Sequence, residues 1–532
     1  MFILGINAYH GGASAAIIRD GELIAAVEEE RFTRQKYWAG FPTRSIRYCL
    51  DAAGVEAYEL DHVGISRNPS AHLVQKALYT LRRRPSFSLL RDRLANAGKV
   101  GDLRTQLADA LGLEGRNLRA EFHNVEHHRA HMASAFFVSP FQDAAILSVD
   151  GMGDFVSTMT GSGRESKMEV SETVHFPHSL GNFYTLICQW LGFPKYGDEG
   201  KVMGLAPYGQ PRHMDEMAQV LRWHSDGSFE LNLDYLTDFA DGNLMTWENG
   251  TPVVPRLFSD KLVKLLGEPR EAGGAITAHH QDVAASLQAT LEAVEMALVQ
   301  RLQQQTGQSR LCMAGGVALN SAFNGKILPN TAFEEIFIQP AAGDAGTSLG
   351  VCYYIYHQLL GCPRSFVMTD AYTGPTYANG CIEEAIARAN LAARAMDDEA
   401  LCVSAADLIA DQKIVGWYQG AMEWGPRALG NRSILADPRH ASTKDLLNAR
   451  IKRREKFRPF APAVLAEQTG VYFDQSYPDP FMLKVYQVRP EKHELLPAVT
   501  HVDGSGRLQT VEREVNPRYY RLIEAFGERT GV

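Results

Sequence analysis

The chain has 532 residues and a mass of 58.9 kDa, which is enough for about three to four domains of ~150 residues each. Its content of 45% hydrophobic and 22% charged residues excludes disordered, collagenous and low-complexity proteins. With 53 Lys and Arg against 62 Asp and Glu, the net charge is −9, which disfavours a large nucleic-acid-binding surface because such surfaces are basic.

The cysteines and the apolar segments indicate a cytoplasmic protein. The seven cysteines are scattered and lack Cys-x-x-Cys spacing, as expected for reduced thiols. No apolar run reaches the ~18 residues of a membrane span. The sequence opens on the strand-like MFILGINAY instead of a signal peptide. We therefore expect a cytoplasmic location and no membrane partner.

Two segments share a strand–turn–strand pattern. In the first, residues 2–7 predict an apolar strand, and Asp20-Gly21 predicts a hairpin between two further strands. In the second, residues 146–149 predict a buried strand, residues 150–154 a turn, and residues 155–159 the start of the next strand. This repeat predicts an α/β protein with two related lobes. Actin-like and sugar-kinase-like ATPase folds hold phosphate groups at paired turns of this kind.

Helices are predicted between and after these segments. The basic stretch Arg82-Arg83-Arg84 is more typical of a solvated helix face than of a binding patch. Apolar residues at helical spacing over residues 281–302 predict a long amphipathic helix. The next elements are, in order, an apolar strand, a glycine pair, a helix and another strand: residues 311–314, Gly315-Gly316, the helix containing Asn320, and residues 335–339.

A change of composition marks a domain boundary. Residues 361–378 are rich in Pro, Gly and small polar residues, which indicates an interdomain link. Beyond it, residues 382–393 predict a helix and residues 413–418 a strand, and two arginine-rich loops follow. We therefore expect one domain over residues 1–365 and a second over residues 366–532.

Four residues form a candidate metal site. His127 and His131 are four apart in a sequence of helical propensity, so both imidazoles should lie on one face. Asp150 follows a strand, and Asp344 lies at a similar glycine-flanked turn. Two imidazoles and two carboxylates suit iron, zinc or manganese, without choosing among them. Two histidines exposed on a helix with no metal are the alternative.

Two glycine-containing segments are candidates for nucleotide binding. Gly315-Gly316 follows a buried strand, where a ligand can approach the backbone and the next helix can direct N–H groups at an anion. A tight strand-to-helix turn is the alternative. Residues 197–204 have the composition of a mobile nucleotide-facing loop, or equally of a surface turn.

The arginine-rich loops near the end of the chain suit phosphate or carboxylate groups. Among the basic residues of MEWGPRALGNRS and IKRREKFRPFAP we select Arg427, Lys452 and Arg458, because apolar residues or glycine flank them. A basic helix for nucleic acid is the competing interpretation. The segment THVDGSGRLQTV adds Arg507 near a glycine turn.

Taken in order, ten segments resemble one family along nearly the whole chain. They are HGGASAA, EEERFTRQK, HHRAHMASAF, SVDGMG, GKVMGLAPYG, AGGVALN, GDAGTSLG, GWYQGAMEWGPRALGNRS, REKFRPFAP and HVDGSGRLQTV. Together they resemble the NodU/CmcH/TobZ family of O-carbamoyltransferases. The resemblance implies a metal-dependent, duplicated actin-like (ASKHA) module, similar to the tRNA threonylcarbamoyl-transferase subunit, followed by an α+β YrdC-like module.

The resemblance also implies a reaction in two steps. The YrdC-like module would make carbamoyladenylate from carbamoyl phosphate and ATP, with Mg²⁺. The actin-like module would then transfer the carbamoyl group to a hydroxyl of a small-molecule acceptor, a natural product or a sugar.

Individual residues acquire implied roles in this scheme. The iron(II) ligands would be His127, His131, Asp150 and Asp344. The residues beside the transferred carbamoyl group would be Lys36 and His10, whose alternatives are a surface lysine and a turn-capping histidine. Carbamoyl phosphate and ATP would be bound by Arg427, Lys452, Arg458 and Arg507. The adenylate would be bound by Lys201, Gly204, Gly315, Gly316 and Asn320.

The sequence departs from the family pattern at two places. Gly506 stands before Arg507 where a larger residue is expected. The family also continues beyond the position of Val532 through an Asn-Thr-Ser-Phe-Asn segment that lines the phosphate site. We therefore expect the second module of the printed chain to lack part of that site and to form little adenylate.

Two other functions fit parts of the pattern. A tRNA threonylcarbamoyl-type transferase would use the same two modules on a nucleic acid, but the net charge of −9 and the fusion of the modules argue against it. A non-catalytic nucleotide-binding scaffold would need neither four metal ligands nor Lys36. We therefore expect a hydroxylated small-molecule acceptor and no nucleic-acid partner.

Overall fold

The computed structural model describes residues 1–83, 102–113, 118–237 and 246–532, which form a mixed α/β protein. The chain divides into two compact units. The first comprises Met1–Asn320 and Ile327–Met368, and the second comprises Ser321–Lys326 and Thr369–Val532. None of the helices in the described ranges has the length and apolar character that crossing a membrane requires. The predicted solvated face at Arg82-Arg83-Arg84 lies outside the described side chains.

The first unit is built on two five-stranded sheets. Its strands are β1 (Phe2–Asn7), β2 (Ser14–Arg19), β3 (Glu22–Glu28), β4 (His62–Ile65), β5 (Glu121–Asn124), β6 (Asp143–Gly153), β7 (Val156–Arg164), β8 (Lys167–His175), β9 (Leu221–Trp223), β10 (Phe229–Leu231), β11 (Thr246–Glu248), β12 (Thr251–Val253), β13 (Arg310–Ala314) and β14 (Glu335–Ile338).

The two large sheets have the same topology. Their strand orders are β3-β2-β1-β4-β5 and β8-β7-β6-β13-β14. In each sheet the first three strands along the chain form an antiparallel meander, and the last two add parallel to the first strand. The duplication predicted from the repeated strand–turn–strand pattern is therefore present in the backbone.

Helices cover these sheets and connect their strands. They are α1 (Glu30–Thr33), α2 (Thr43–Ala53), α3 (Leu73–Arg83), α4 (Leu103–Leu111), α5 (His127–Phe136), α6 (Leu180–Trp190), α7 (Glu199–Leu205), α8 (Met214–Val220), α9 (Asp260–Leu266), α10 (Ala278–Thr306), α11 (Ser321–Asn330) and α12 (Thr347–Tyr353). One core packs Val63 of β4 against Ile46 of α2 and Leu107 of α4.

The two predicted turns have different outcomes. Asp20 and Gly21 both have positive φ, 52° and 88°, and join β2 to β3 as predicted. The second prediction is wrong in position, because β6 continues through Asp150 with an irregular register and ends at Gly153. Asp154 and Phe155, with φ of 49° and 78°, make the turn instead.

The predicted helices are confirmed at two places and corrected at a third. The long amphipathic helix is α10, which begins after the capping residue Thr277 and ends at Thr306, before Gly307 in the left-handed conformation. The two-histidine segment forms α5. The predicted loop over residues 197–204 is wrong in its last six residues, because residues from Glu199 onward form α7.

The second unit contains three small two-stranded sheets and several helices. Its strands are β15 (Val415–Tyr418), β16 (Arg432–Leu435), β17 (Ala463–Leu465), β18 (Val485–Gln487), β19 (Ser505–Arg507) and β20 (Gln509–Val511). Its helices are α13 (Asn379–Arg388), α14 (Asp398–Ala410), α15 (Ala441–Leu446), α16 (Thr469–Tyr472) and α17 (Pro517–Thr530). The predicted helix over residues 382–393 therefore ends earlier, and the predicted strand over residues 413–418 begins later.

Residues 321–326 group with the second unit, although the sequence predicted them in the first domain. Asn324 Nδ2 donates a 2.9 Å hydrogen bond to the carbonyl oxygen of Leu483. A Cβ atom at Gly325 would lie 2.0 Å from the carbonyl oxygen of Val485, so glycine permits this close approach of two backbones.

Candidate metal centre and cationic cluster

The four predicted metal ligands converge in the first unit. Nε2 of His127 and Nε2 of His131 are 3.1 Å apart. Asp150 Oδ2 lies 3.3 Å from the first nitrogen and 3.7 Å from the second, and Asp344 Oδ1 lies 3.5 Å from both. A tetrahedral ion with ligands at 2.0–2.2 Å separates its ligand atoms by about 3.4 Å. The four atoms therefore have the spacing of ligands around one cation.

The surrounding backbone fixes the first of these histidines. The carboxylate of Asp154 accepts hydrogen bonds from the N–H of His127 and the N–H of Asn68, at 3.0 and 2.7 Å. A Cβ atom at Gly153 would lie 2.1 Å from the His127 ring, so only glycine leaves room for the imidazole. The sequence pattern predicts a turn at Gly153 and Asp154 and gives no sign of their part in placing the ligand.

The ligands change each other's proton affinity. Burial lowers the pKa of His127 and His131, but hydrogen bonds to Asp150 and Asp344 outweigh it and raise both values, that of His127 to well above its usual range. Burial raises the pKa of Asp150, but hydrogen bonds from both imidazoles hold it well below its usual range. A cation therefore competes with protons for these nitrogens, and its binding releases protons.

His10 borders this centre. Its Nδ1 lies 3.9 Å from Asp344 Oδ2, and its ring centroid lies 5.2 Å from that of His127. Burial lowers the pKa of His10 to about 4, although Asp344 opposes the shift. His10 is therefore a neutral imidazole beside the candidate metal ligands.

Tyr196 is a neighbour of the centre that the sequence analysis did not select. Burial, together with the charges of Asp344 and Asp150, raises the pKa of its phenol well above the usual range. Its ring lies against Gly11, where a Cβ atom would be 2.5 Å away. Its position one residue before the selected glycine segment was the available signal.

Lys36 is exposed and makes no hydrogen bond or ion pair with the described residues. Its neighbour Tyr37 contacts Tyr196 edge to face, with ring centroids 5.2 Å apart. Lys36 therefore lies one residue before a tyrosine that contacts Tyr196. Its amine makes no contact with the metal ligands.

The glycine pair selected for nucleotide binding uses its N–H groups inside the protein. Gly315 donates to the carbonyl oxygen of Ala342 at 2.7 Å, and Gly316 donates to Asp150 Oδ1 at 2.8 Å. Both N–H groups therefore already have protein acceptors, while the expected binding of the adenylate at this turn stays a prediction. Gly315 has φ of +95°, which fits the alternative of a tight turn.

Asn320 belongs to a buried amide network. Its side chain exchanges two hydrogen bonds with Gln288, at 3.0 and 3.1 Å, and Tyr184 donates to the same Gln288 oxygen at 2.9 Å. Lys201 is in α7 and pairs with Asp198 at 2.8 Å. Gly204 is buried in the same helix.

In the second unit, three of the four selected basic residues lie close together. Burial lowers the pKa of Arg507 well below the usual range. Repulsion by the positive charges of Arg427, Arg454 and Arg458 lowers it further. Asp479 is the acidic group that opposes the shift. Guanidinium groups are suited to phosphate and carboxylate ligands.

The structure separates the remaining basic residues by role. Lys452 is exposed at the end of a helical turn. Arg432 donates to the backbone carbonyls of Asn431, Pro375 and Gly420 and lies over the ring of Tyr418, so it supports the loop. Arg454, which the sequence analysis did not select, belongs to the cluster and donates to Asn448 at 2.7 Å.

Two family models match the chain. The model described as Carbamoyltransferase N-terminus matches residues 2–353, and the model described as Carbamoyltransferase C-terminus matches residues 406–532. Among solved structures, the activator of the 2-hydroxyisocaproyl-CoA dehydratase from Clostridium difficile has 13% identity and a TM-score of 0.31, covering 66% of this chain and 94% of that chain. That likeness is too weak to support a conclusion.

Curated relatives cover most of the chain. The nodulation protein NolNO of Sinorhizobium fredii is 40% identical over 534 residues, which span 98% of this chain and 73% of the relative. The 3'-hydroxymethylcephem-O-carbamoyltransferase of Amycolatopsis lactamdurans is 28% identical over 419 residues, which span 77% of this chain and 73% of the relative.

Proposed function

The chain belongs to the carbamoyltransferase family and is an enzyme of that family, and from this premise we propose that it transfers a carbamoyl group to a hydroxyl of a small-molecule acceptor. The hydroxyl acceptor is supported by the relative whose name specifies O-carbamoyl transfer to a hydroxymethylcephem. The convergence of His127, His131, Asp150 and Asp344 is the observation that carries the assignment of the transfer site.

We assign the two steps to the two units. The repeated strand order of the first unit supports an actin-like transfer module. The small sheets and helices of the second unit support an α+β, YrdC-like module that makes carbamoyladenylate. In that step carbamoyl phosphate, ATP and one water give carbamoyladenylate, pyrophosphate and phosphate. In the transfer step the acceptor oxygen bonds to the carbamoyl carbon, AMP leaves, and the hydroxyl proton is released.

Basic residues of the second unit are assigned to offset the negative charge of the substrates of adenylation. Carbamoyl phosphate and a triphosphate bring several negative charges together, and fixed guanidinium groups can offset them where water is excluded. The charges of Arg427 and Arg458 reach Arg507 and lower its pKa. These three residues are assigned this role, and Arg454, whose charge acts in the same way, joins them. Lys452 is assigned to the same substrates as a mobile point charge, in keeping with its exposure.

The candidate metal centre fits Fe²⁺, with Zn²⁺ or Mn²⁺ as alternatives, because its donors are two imidazoles and two carboxylates. When bound, the cation would act as a Lewis acid on an oxygen of the adenylate. His127, His131, Asp150 and Asp344 would hold it. Asp154 and Gly316 keep His127 and Asp150 in place through backbone hydrogen bonds.

Two further residues are assigned to the transfer step. His10 lies beside Asp344, and its imidazole can accept the proton of the attacking hydroxyl. Lys36 is assigned to the charge that develops on the carbamoyl or phosphate oxygen, for which its flexible side chain has to turn inward. The residues assigned to the adenylate remain Lys201, Gly204, Gly315, Gly316 and Asn320.

The experiment separates metal loading, adenylation and transfer. The full chain is purified without oxygen, its metal is measured, and it is incubated with carbamoyl phosphate, ATP and a panel of hydroxylated metabolites. We expect slow release of pyrophosphate and, when synthetic carbamoyladenylate is supplied, an acceptor product heavier by one carbamoyl group. His131→Ala should remain folded but lose the metal of this centre and the transfer activity. The same metal content in that variant as in the wild type, or carbamoylation of tRNA instead of a small molecule, would contradict the proposal.

A further inference from the structure

A second cluster of metal-ligand side chains lies at the edge of the first sheet. His62 is the first residue of β4, and Glu121 and His123 lie on β5, which is the edge strand. His62 Nδ1 is 3.0 Å from His123 Nε2. The Glu121 carboxylate oxygens lie 3.8 Å from the first nitrogen and 4.0 Å from the second. We propose that these three residues bind a second divalent cation of the zinc type.

The register of the two strands explains why the three side chains meet. The strands are parallel, His62 pairs with Glu121, and Gly64 pairs with His123. Paired residues of parallel strands point to the same face, and so do residues two apart. Because Gly64 has no side chain, the His123 ring has room to turn toward His62, and the ring centroids are 5.2 Å apart.

The environment of the cluster is half enclosed. The residue between the two β5 ligands, Phe122, points to the other face and packs on the core with Val63. On the ligand face, a Cβ atom at Gly64 would lie 2.5 Å from Val351 of α12. The His62 and His123 side chains are only 12% and 13% exposed, whereas that of Glu121 is 69% exposed. The two imidazoles are therefore mostly buried, and the carboxylate lies on the solvent side of the cluster.

The distances match zinc with a small rearrangement. Two nitrogens bound to one Zn²⁺ at 2.0–2.1 Å are about 3.3 Å apart, which is close to the 3.0 Å observed. Glu121 needs to approach by a few tenths of an ångström, which its exposure permits. Two imidazoles and a carboxylate suit zinc, and water can complete a tetrahedral site.

The cation would join β5 to β4. Among the strands in the described ranges, β5 pairs only with β4. It leads within three residues to α5, which carries His127 and His131. The new cluster lies toward the amino-terminal ends of β4 and β5, whereas α5 begins beyond the carboxyl end of β5. The cluster is therefore a site distinct from the candidate metal centre, and its role is to secure an edge strand.

The test counts zinc in the full chain. Metal-free protein is titrated with Zn²⁺, free ion is removed by gel filtration, and the bound zinc is measured. We expect two zinc ions per chain in the wild type, one in the double variant His62→Gln/His123→Gln, and one in His131→Ala. The exposed His224→Gln variant is the matched control and should keep two. One ion in the wild type, or two in the double variant, would overturn the proposal.

A single variant keeps the proposal testable if the double variant does not fold. Glu121 is exposed, so Glu121→Gln should leave the fold intact while weakening zinc binding at this site by about tenfold or more, because removing a direct ligand costs at least as much as removing a residue that only orients one. The experiment is run in the His131→Ala background, where the other centre is disabled. Unchanged zinc affinity there would show that the His62–His123 contact is only an N–H···N hydrogen bond and would end the proposal.

Discussion

The N–H of Gly316 donates a 2.8 Å hydrogen bond to Oδ1 of Asp150, although 166 positions separate the two residues. The same carboxylate presents its other oxygen, Oδ2, to the imidazoles of His127 and His131. The turn after β13 therefore orients a ligand at the end region of β6. The two strands are neighbours in the second sheet, which is why so distant a residue can do this.

This relationship makes Gly316 a testable positioning residue. A Cβ atom there would lie 2.7 Å from Asp150 Oδ1, so Gly316→Ala has to displace the carboxylate. We expect metal affinity to fall by about 10- to 100-fold, as for other residues that orient a ligand, with little loss of thermal stability. Gly380→Ala is the control, because its Cβ would meet no atom within 4 Å. Equal metal affinity in both variants would show that the hydrogen bond is not needed.

Lys36→Ala should separate the two proposed steps. Lys36 belongs to the first unit, whereas the arginine cluster belongs to the second. We expect pyrophosphate release to continue at the wild-type rate and carbamoyl transfer to be lost. Both are measured in the same preparation, with the exposed Lys264→Ala variant as control. Equal loss of both steps would mean that Lys36 is structural or that the steps share one site.

Arg458→Ala should have the opposite effect. A hydrogen bond to a charged group contributes about 1.5–3 kcal/mol, so its loss should reduce pyrophosphate release by about 10- to 100-fold. Transfer from synthetic carbamoyladenylate should be unchanged. Arg450→Ala, an exposed arginine in the same segment, is the matched control and should retain full adenylation. A drop in transfer from the synthetic adenylate would place Arg458 in the wrong step.

The burial of Glu295 predicts a folding stability that falls as the pH rises. It is fully buried in α10, and neither carboxyl oxygen has a hydrogen-bond partner among the described residues. Burial, with a contribution from Glu292, raises the pKa of Glu295 well above its usual range. The folded state therefore retains a proton that the unfolded state loses above about pH 4.5. Folding stability falls by ~1.4 kcal/mol per pH unit from there up to the folded-state pKa.

Glu295→Gln should remove the fall of folding stability with rising pH, because glutamine does not ionise. The variant should melt at a higher temperature than the wild type at pH 7, and the difference should grow between pH 5 and pH 8 as the wild type weakens. Thermal melting across that range is the measurement, and Glu268→Gln, on the surface, should show no such trend. A difference in melting temperature that does not change with pH would contradict the buried, protonated state of Glu295.

Local rules determined the features that depend on neighbours in the sequence. Positive φ is favoured at an Asp-Gly pair, so Asp20-Gly21 predicted the first hairpin. Helical spacing placed His127 and His131 on one face of α5 and predicted most of α10. The repeated strand–turn pattern led to Asp150 and Asp344, and the structure brings these four side chains together.

Tertiary structure alone decided the contacts between distant segments. Arg454 joins the cationic cluster while Arg432 supports a loop, although both lie in similar arginine-rich sequence. The N–H of Gly316 donates a hydrogen bond to Asp150. Residues 321–326 group with the second unit. Composition and periodicity predict the secondary structure of each segment by itself. Strand order and packing between residues far apart in the chain decide which N–H donates to which carboxylate. They also decide which guanidinium groups become neighbours.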